Sequence, residues 1–209
     1  MSDLKVDLSI VTTLYRSSIF IDEFVRRVSA QAEKITPNFE IVFVDDGSPD
    51  DSLAKSVNLV LTNPRIKVVE LSRNFGHHKA MMTAVEHASG SLIFLIDVDL
   101  EEPPELLVEF HQKLISEGWD VVYGYQNKRK GGAFERVSGR IAWILLDSLT
   151  PVKIPHNHST VRLMTRNYAQ ALIRHKEHKT AIGGLWVQTG FRQIGVGFSK
   201  SARDSSSYR

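Results

Sequence analysis

The stretch IFLIDVDLEEPPE, residues 93–105, runs from four apolar residues into Asp97 and Asp99, then into Glu101, Glu102 and Glu105 around a proline pair. On a regular strand, carboxylates at i and i+2 point the same way, and at the strand's end both can reach one hard cation that prefers oxygen ligands. A solvated turn feeding a helix, whose N-terminal dipole favours Glu101, Glu102 and Glu105, accounts for the same letters, and a lone D-x-D does not separate the two readings. A second acidic strand end tips the balance toward the cation. VDDGSPDD, residues 44–51, sets Asp45 and Asp46 after another apolar run. Turn chemistry and helix capping explain Ser48 and Asp50 in that segment, but not the doublet itself.

Both carboxylate pairs need elements that aim them at one place. Apolar runs rich in strand formers recur at 8–13, 40–45, 66–71, 91–97 and 119–124. Between them, 18–34, 50–62, 77–88 and 103–117 carry apolar residues at three- and four-residue spacing. This alternation predicts βαβ units: an α/β fold with a mainly parallel central sheet flanked by helices. Ligands of such sheets bind beyond the carboxyl ends of the strands, so both acidic pairs are expected at one edge. Pro103 and Pro104 suit the first turn of the fourth helix. His77 and His78, after the turn RNFG, are expected to begin the third helix near the pocket, with no role assigned to either.

At 209 residues the chain is expected to form a single domain, 1–209, with a substantial core. It has no cysteine, which excludes disulfides and thiolate metal sites and fits a reducing compartment. The opening MSDLKVDLSI lacks a basic segment followed by an apolar one, and no apolar run approaches the roughly 18 residues of a spanning helix. Neither a secretory leader nor a membrane span is therefore expected. A net charge of +2 hides a division: residues 1–120 carry 11 Lys and Arg against 20 Asp and Glu, and residues 121–209 carry 15 against 4. The division suggests a cation-binding first half and a second half facing phosphates or an anionic membrane, with charges scattered over solvated faces as the alternative.

The second half opens with YQNKRKGGAFERVSGRIAWILLDSLT, residues 125–150, a basic glycine-containing loop leading to an amphipathic helix with Phe134, Val137, Ile141, Ile144 and Leu145 on one side. Such a helix lies on a membrane surface or packs on the sheet, and the pattern leaves both open. Lys128, Arg129, Arg136 and Arg140 are the candidates for a lipid phosphate and anionic head groups. Nucleic acid is not an expected partner, because aromatic residues are not interleaved with the basic cluster.

The blocks SIVTTLYR, IVFVDDGSPDDS, VVELSRNFGHHKAMMTA and GSLIFLIDVDLEEPPELL, in that order and spacing, resemble the family 2 glycosyltransferases of the GT-A fold. Within them the chain is most similar to the polyprenyl-phosphate sugar transferases typified by dolichol-phosphate mannosyltransferase. The resemblance implies a UDP-, GDP- or dTDP-linked sugar donor. Thr13, Tyr15, Ser48 and Arg73 would line its pocket, and Asp45 or Asp46 would hydrogen-bond the base. Asp97 and Asp99 would hold Mg²⁺ or Mn²⁺ against the diphosphate, with Asp99 at the catalytic centre. Glu101 stands where the family commonly has Gln as a further metal-side ligand. In the closing segment Arg203, Ser206, Ser207 and Tyr208 match residues that fold over the diphosphate. A peripheral position at the cytoplasmic membrane face is implied as well, and a homo-oligomer stays open.

The segment HNHSTVRLMTR, residues 156–166, matches the family less well. Arg162 stands where an arginine serves the acceptor phosphate, but Thr160 replaces the aspartate expected near the reacting centre. Threonine is no general base at neutral pH. A phosphate monoester acceptor needs little deprotonation; otherwise His156 or His158 supplies the base, or the acceptor chemistry differs. The i, i+2 spacing of those histidines also invites a metal site, yet without a third ligand loop or partnered histidines are the stronger reading. Trp186, with Gly183 and Gly184, falls in the acceptor region of the fold, where a core tryptophan explains it equally well. Transfer to a polyprenyl phosphate is the leading expectation. Transfer to a saccharide or glycolipid hydroxyl and a catalytically silent subunit are the alternatives, Asp97 and Asp99 counting against silence. Dehydrogenase and nucleotidyltransferase readings fail because SIVTTLYRSS occupies the place of a glycine-rich phosphate loop.

Overall fold

The computed structural model describes residues 6–126, 158–175 and 182–199. Strands β1 (Leu8–Leu14), β2 (Phe39–Asp45), β3 (Ile66–Glu70) and β4 (Leu92–Leu95) alternate with helices α1 (Ile21–Ala32), α2 (Ser52–Thr62), α3 (His77–His87) and α4 (Leu106–Glu117). There follow β5 (Val121–Gln126), β6 (His158–Thr165), α5 (Arg166–Ile173), α6 (Ile182–Gln188) and β7 (Gln193–Phe198). All seven strands form one sheet in the order β3-β2-β1-β4-β6-β5-β7. Neighbours run parallel except where β6 pairs antiparallel with both β4 and β5. The carboxyl ends of β1 to β5 and the amino end of β6 therefore share one edge.

Both faces of the sheet are covered, which is why its strands read as nearly continuous apolar runs. Ile10, Ile41, Phe43 and Phe94 turn to one side, where they meet Phe24 and Val28 of α1 and Leu107 and Phe110 of α4. Val11, Val42, Ile93 and Leu95 turn to the other, against Ala80, Met81 and Ala84 of α3 and Leu172 of α5. Helix α1 shows why the pattern folds this way: Ile21, Phe24, Val28 and Ala32 share a buried stripe, and Asp22 and Glu23 occupy the first turn, where the dipole favours them. Helix α2 is the exception. Ser52 and Ser56 are its buried residues, while Val57, Val60 and Leu61 face outward.

Two expectations change. Strand β4 ends at Leu95 rather than at residue 97, so Asp97 and Asp99 lie on a turn beyond the strand, which Leu100 closes in the left-handed region at φ 60°. Alternation along a strand thus does not aim the two carboxylates; the turn does. Helix α4 begins at Leu106, and Pro103 and Pro104 form the preceding turn by accepting the N–H groups of Leu106 and Leu107. Among the described residues no helix is long and apolar enough to cross a membrane. The segment with Phe134, Val137, Ile141, Ile144 and Leu145, and with it Lys128, Arg129, Arg136 and Arg140, lies outside the described residues.

Candidate donor and metal site at the carboxyl edge

Asp45 ends β2 between the last residues of β1 and β3, paired with Leu14 and Glu70, and its side chain is buried. One oxygen, Oδ2, accepts the Ser48 N–H at 3.0 Å. The other, Oδ1, is buried and has no hydrogen-bond partner among the described residues. Burial pushes this carboxyl above the usual carboxylate range, and Asp50 and Glu70 push the same way, against the Ser48 and Gly47 N–H groups.

Asp46, equally buried, is used differently. Its Oδ1 accepts the Phe75 N–H at 2.7 Å and its Oδ2 the Gly76 N–H at 3.0 Å, so the carboxylate fastens the loop that leads into α3. Gly47 makes that loop contact possible: it sits at φ +64°, and a Cβ there would lie 2.6 Å from the backbone nitrogen of Asn74. Ser48 is likewise engaged, its hydroxyl accepting the Arg16 N–H at 2.8 Å and donating to Asp50 at 2.5 Å. Asp50 also accepts from Ser18 and Ser52, and these donors hold its carboxyl far below the usual range although its partial burial works the other way. Around this loop the exposed Tyr15 and Arg16 stand on one side, and Arg73 on the other, its guanidinium 4.1 Å from the centre of the Phe75 ring.

Beyond β4, Asp97 and Asp99 are each half-buried. The Glu101 N–H donates to Asp99 Oδ1 at 3.1 Å. His77, first residue of α3, brings Nε2 to 3.4 Å from Asp97 Oδ1, while its Nδ1 lies 3.1 Å from the hydroxyl oxygen of Thr13 at the end of β1. The Asp97 contact raises the His77 pKa, burial opposing it. The position of His77 directly after the RNFG turn puts it at the start of α3 by the pocket, as expected, whereas its contacts with Asp97 and Thr13 have no local sequence signal. Among the described residues no group of three or more His, Asp or Glu side chains is gathered to hold a metal ion, so Asp97, Asp99 and Glu101 are not a closed three-ligand cage. The donor set still fits a hard cation of the Mg²⁺ or Mn²⁺ type, which binds one or two carboxylates and takes its remaining ligands from water and substrate phosphates.

The neighbouring β6 carries the residues expected on the acceptor side. Arg162 pairs with Leu95 of β4 and Tyr123 of β5, is 1% exposed, and donates to the carbonyls of Ser159 and Thr160 at 3.2 Å. Burial pushes its pKa down to about 9, which leaves it charged at neutral pH, with the Trp186 ring 3.0 Å from its guanidinium carbon and Glu102 nearby. The arginine is thus placed under the edge rather than on it. Trp186 is a core residue, 4% exposed. His158, at the amino end of β6, meets it edge-on at 5.4 Å and fills the space a Cβ on Gly183 would need. Ser159 donates a hydrogen bond to the buried Glu102, tying the acidic turn to β6. Thr13, Tyr15, Asp45, Asp46, Ser48, Arg73, Asp97, Asp99 and Glu101 all fall on loops and strand ends of one edge, whereas His156, Arg203, Ser206, Ser207 and Tyr208 lie outside the described residues.

Comparison with known proteins agrees with this arrangement. The family model described as Glycosyl transferase family 2 matches residues 9–173. A Mycobacterium tuberculosis (strain CDC 1551 / Oshkosh) protein that carries only the general name of glycosyltransferase is 48% identical over 96% of this chain and 59% of its own length. The undecaprenyl-phosphate 4-deoxy-4-formamido-L-arabinose transferase of Pseudomonas syringae pv. syringae is 31% identical over 84% of this chain and 52% of its own length. The chain thus spans little more than half the length of these relatives. Among solved structures, the mannosyltransferase PcManGT from Pyrobaculum calidifontis, in complex with GDP-Man and Mn²⁺, superposes with a TM-score of 0.63 at 18% identity, over 97% of this chain and 60% of that one. That likeness is one of fold, and the sheet described above is the GT-A fold the four sequence blocks implied. With the family model covering most of the chain from β1 to the end of α5, this protein belongs to glycosyl transferase family 2.

Proposed function

We propose that the chain is a metal-dependent glycosyltransferase that moves a sugar from a nucleotide-sugar donor to a polyprenyl phosphate at the cytoplasmic membrane face. The observation that carries the donor half is the contrast within the aspartate doublet: Asp46 spends both oxygens on the loop, while Asp45 keeps a buried acceptor oxygen with no partner among the described residues. A buried acceptor of that kind calls for a donor, and an N–H of a nucleobase supplies one. Thr13, Tyr15, Ser48 and Arg73 frame the same pocket. Asp97, Asp99 and Glu101 would hold Mg²⁺ or Mn²⁺, which when bound neutralises charge developing on the leaving diphosphate.

In the transfer step an acceptor phosphate oxygen forms the bond to the anomeric carbon as the bond from that carbon to the diphosphate breaks, and the nucleoside diphosphate leaves. An acceptor oxygen that is already ionised needs no general base, which suits Thr160 in place of an aspartate. The similarity to undecaprenyl-phosphate 4-deoxy-4-formamido-L-arabinose transferases supports a polyprenyl phosphate acceptor. Buried Arg162 acts on that phosphate through its field, and Arg129 and Arg136, outside the described residues, would supply direct contacts. Arg203, Ser207 and Tyr208, outside the described residues, would close over the diphosphate as the family resemblance implies. Transfer to a saccharide hydroxyl is the second reading; the place of His158 at the same edge favours it, since an imidazole there serves as the base a hydroxyl requires.

The test is transfer from labelled UDP-, GDP- and dTDP-sugars to undecaprenyl phosphate with Mn²⁺ or Mg²⁺, counting label that partitions into organic solvent. Lipid label that needs the metal is the expected result. Metal-dependent donor binding without lipid label, and with His158→Ala abolishing transfer to a glycan, contradicts the polyprenyl acceptor in favour of the hydroxyl.

A further inference from the structure

We infer that His77 is a positioning residue for the cation site: through Nε2 it holds one oxygen of Asp97, and through Nδ1 it is held by Thr13. The inference rests on the divalent-metal reading above and deepens it. A carboxylate only accepts hydrogen bonds, so Nε2 must carry the hydrogen in the 3.4 Å contact to Asp97 Oδ1. The Thr13 hydroxyl, 3.1 Å from Nδ1, pairs with that nitrogen by donating to a neutral ring or accepting from a charged one. Either arrangement leaves a hydrogen on Nε2 to face Asp97.

The ring is aimed by the backbone that carries it. Asp46 fastens the N–H groups of Phe75 and Gly76, Gly76 takes φ 96° at the N-cap of α3, and His77 is the first residue of that helix. Asp46 thus acts at the cation site at one remove, by setting the helix start from which His77 reaches across to Asp97. With one lone pair of Oδ1 turned to the imidazole, Oδ2 and the other Oδ1 lone pair remain for a cation. Asp97 sits on a turn rather than on a strand, so the sheet does not fix its rotamer, and an outer hydrogen bond of this sort is what orients a metal-ligating carboxylate.

The experiment is a titration of the full chain with Mn²⁺ alone, reading free Mn²⁺ by its electron paramagnetic resonance signal, on the wild type, His77→Ala, His77→Gln and Thr13→Val. His77→Ala is expected to weaken Mn²⁺ binding about 10- to 100-fold. His77→Gln, whose amide N–H takes the place of Nε2–H, is expected to return to within about threefold of the wild type, and Thr13→Val to lose about threefold. Mn²⁺ affinity unchanged in His77→Ala overturns the inference. So does an equal loss in Ala and Gln variants whose thermal unfolding matches the wild type, because a hydrogen bond from this position would then not be what matters. Should His77→Ala fail to fold, His77→Leu, which keeps the bulk, takes its place: lost Mn²⁺ binding there with recovery in His77→Gln is the expected result, and retention in His77→Leu overturns the inference. No Mn²⁺ binding by the wild type sinks the metal reading itself, a result distinct from wild-type binding that ignores His77.

Discussion

Glu40 and Asp45 stand on the same strand, both almost fully buried, and their surroundings treat them in opposite ways. At the amino edge, Glu40 accepts the Ser9 hydroxyl at 2.5 Å and the Ser89 N–H at 2.6 Å, and pairs with Lys67 at 2.5 Å. Burial works to raise the Glu40 pKa, but Lys67, Ser9 and Ser89 outweigh it and leave the carboxyl below its ordinary value. Around it Ser9 also accepts the Gly90 N–H, and Arg166 donates to the carbonyls of Ala88 and Gly90. At the carboxyl edge, Asp45 keeps a buried oxygen without a partner among the described residues and its pKa rises. This contrast within one strand supports the proposal that the carboxyl edge is the one that takes a ligand.

The comparison breaks most sharply at the acidic turn. Asp99→Ala is expected to lower the transfer rate at least about 10³-fold, as removal of transition-state charge stabilisation does, while thermal unfolding stays near that of the wild type. Full metal-dependent turnover in that variant would remove the turn from the site. Asp45→Asn is expected to weaken nucleotide binding about 10- to 100-fold, the size of a hydrogen bond to a charged group, and to leave stability unchanged or raised by about 1 kcal/mol, because it removes a carboxylate whose ionisation burial disfavours. Glu40→Gln should do the reverse: denaturant unfolding shows a loss of about 2 kcal/mol, since Ser9 and the Ser89 N–H lose a charged partner, and nucleotide affinity holds.

A smaller effect sharpens the contrast through pH. Because the folded Glu40 pKa lies below the ordinary value of 4.5, its contribution is fully present above that value and is lost as pH falls through the depressed one. Unfolding measured from pH 7 down to pH 3 should therefore show a decline in the wild type that flattens in Glu40→Gln. Asp45 carries the opposite sign: its folded pKa is raised, so its ionisation costs stability as pH rises through that value. An unaltered acid limb in Glu40→Gln would assign the decline to other carboxylates.

Much of this was legible before any coordinates. The first four strands and helices announce themselves because a sheet buried on both faces writes unbroken apolar runs, and helices that cover it write three- and four-residue spacing. The carboxylates at the end of β2 and just beyond β4 stood out for the same reason, as charge following closely on such runs. Strand β6 was not legible. It carries buried Ser159 and Arg162 where apolar letters were needed, and its partners β4 and β5 are set by long-range antiparallel pairing. Arg162 matches the family motif in its letter, but its burial against Trp186 is set by packing across the sheet and has no local signal. The division of labour within the Asp45 and Asp46 doublet depends on which backbone N–H groups come near, and His77 meets Thr13 across 64 residues of chain. Neither is a property of local sequence.

The most direct test of the two-edge account is calorimetric binding of UDP- and GDP-sugars, with and without Mn²⁺, to the wild type, Asp45→Asn and Glu40→Gln side by side. The account predicts Mn²⁺-dependent binding in the wild type, its weakening by about 10- to 100-fold in Asp45→Asn and its retention in the less stable Glu40→Gln. Nucleotide affinity that survives in Asp45→Asn, or falls equally in both variants, would contradict the assignment of the carboxyl edge to the donor.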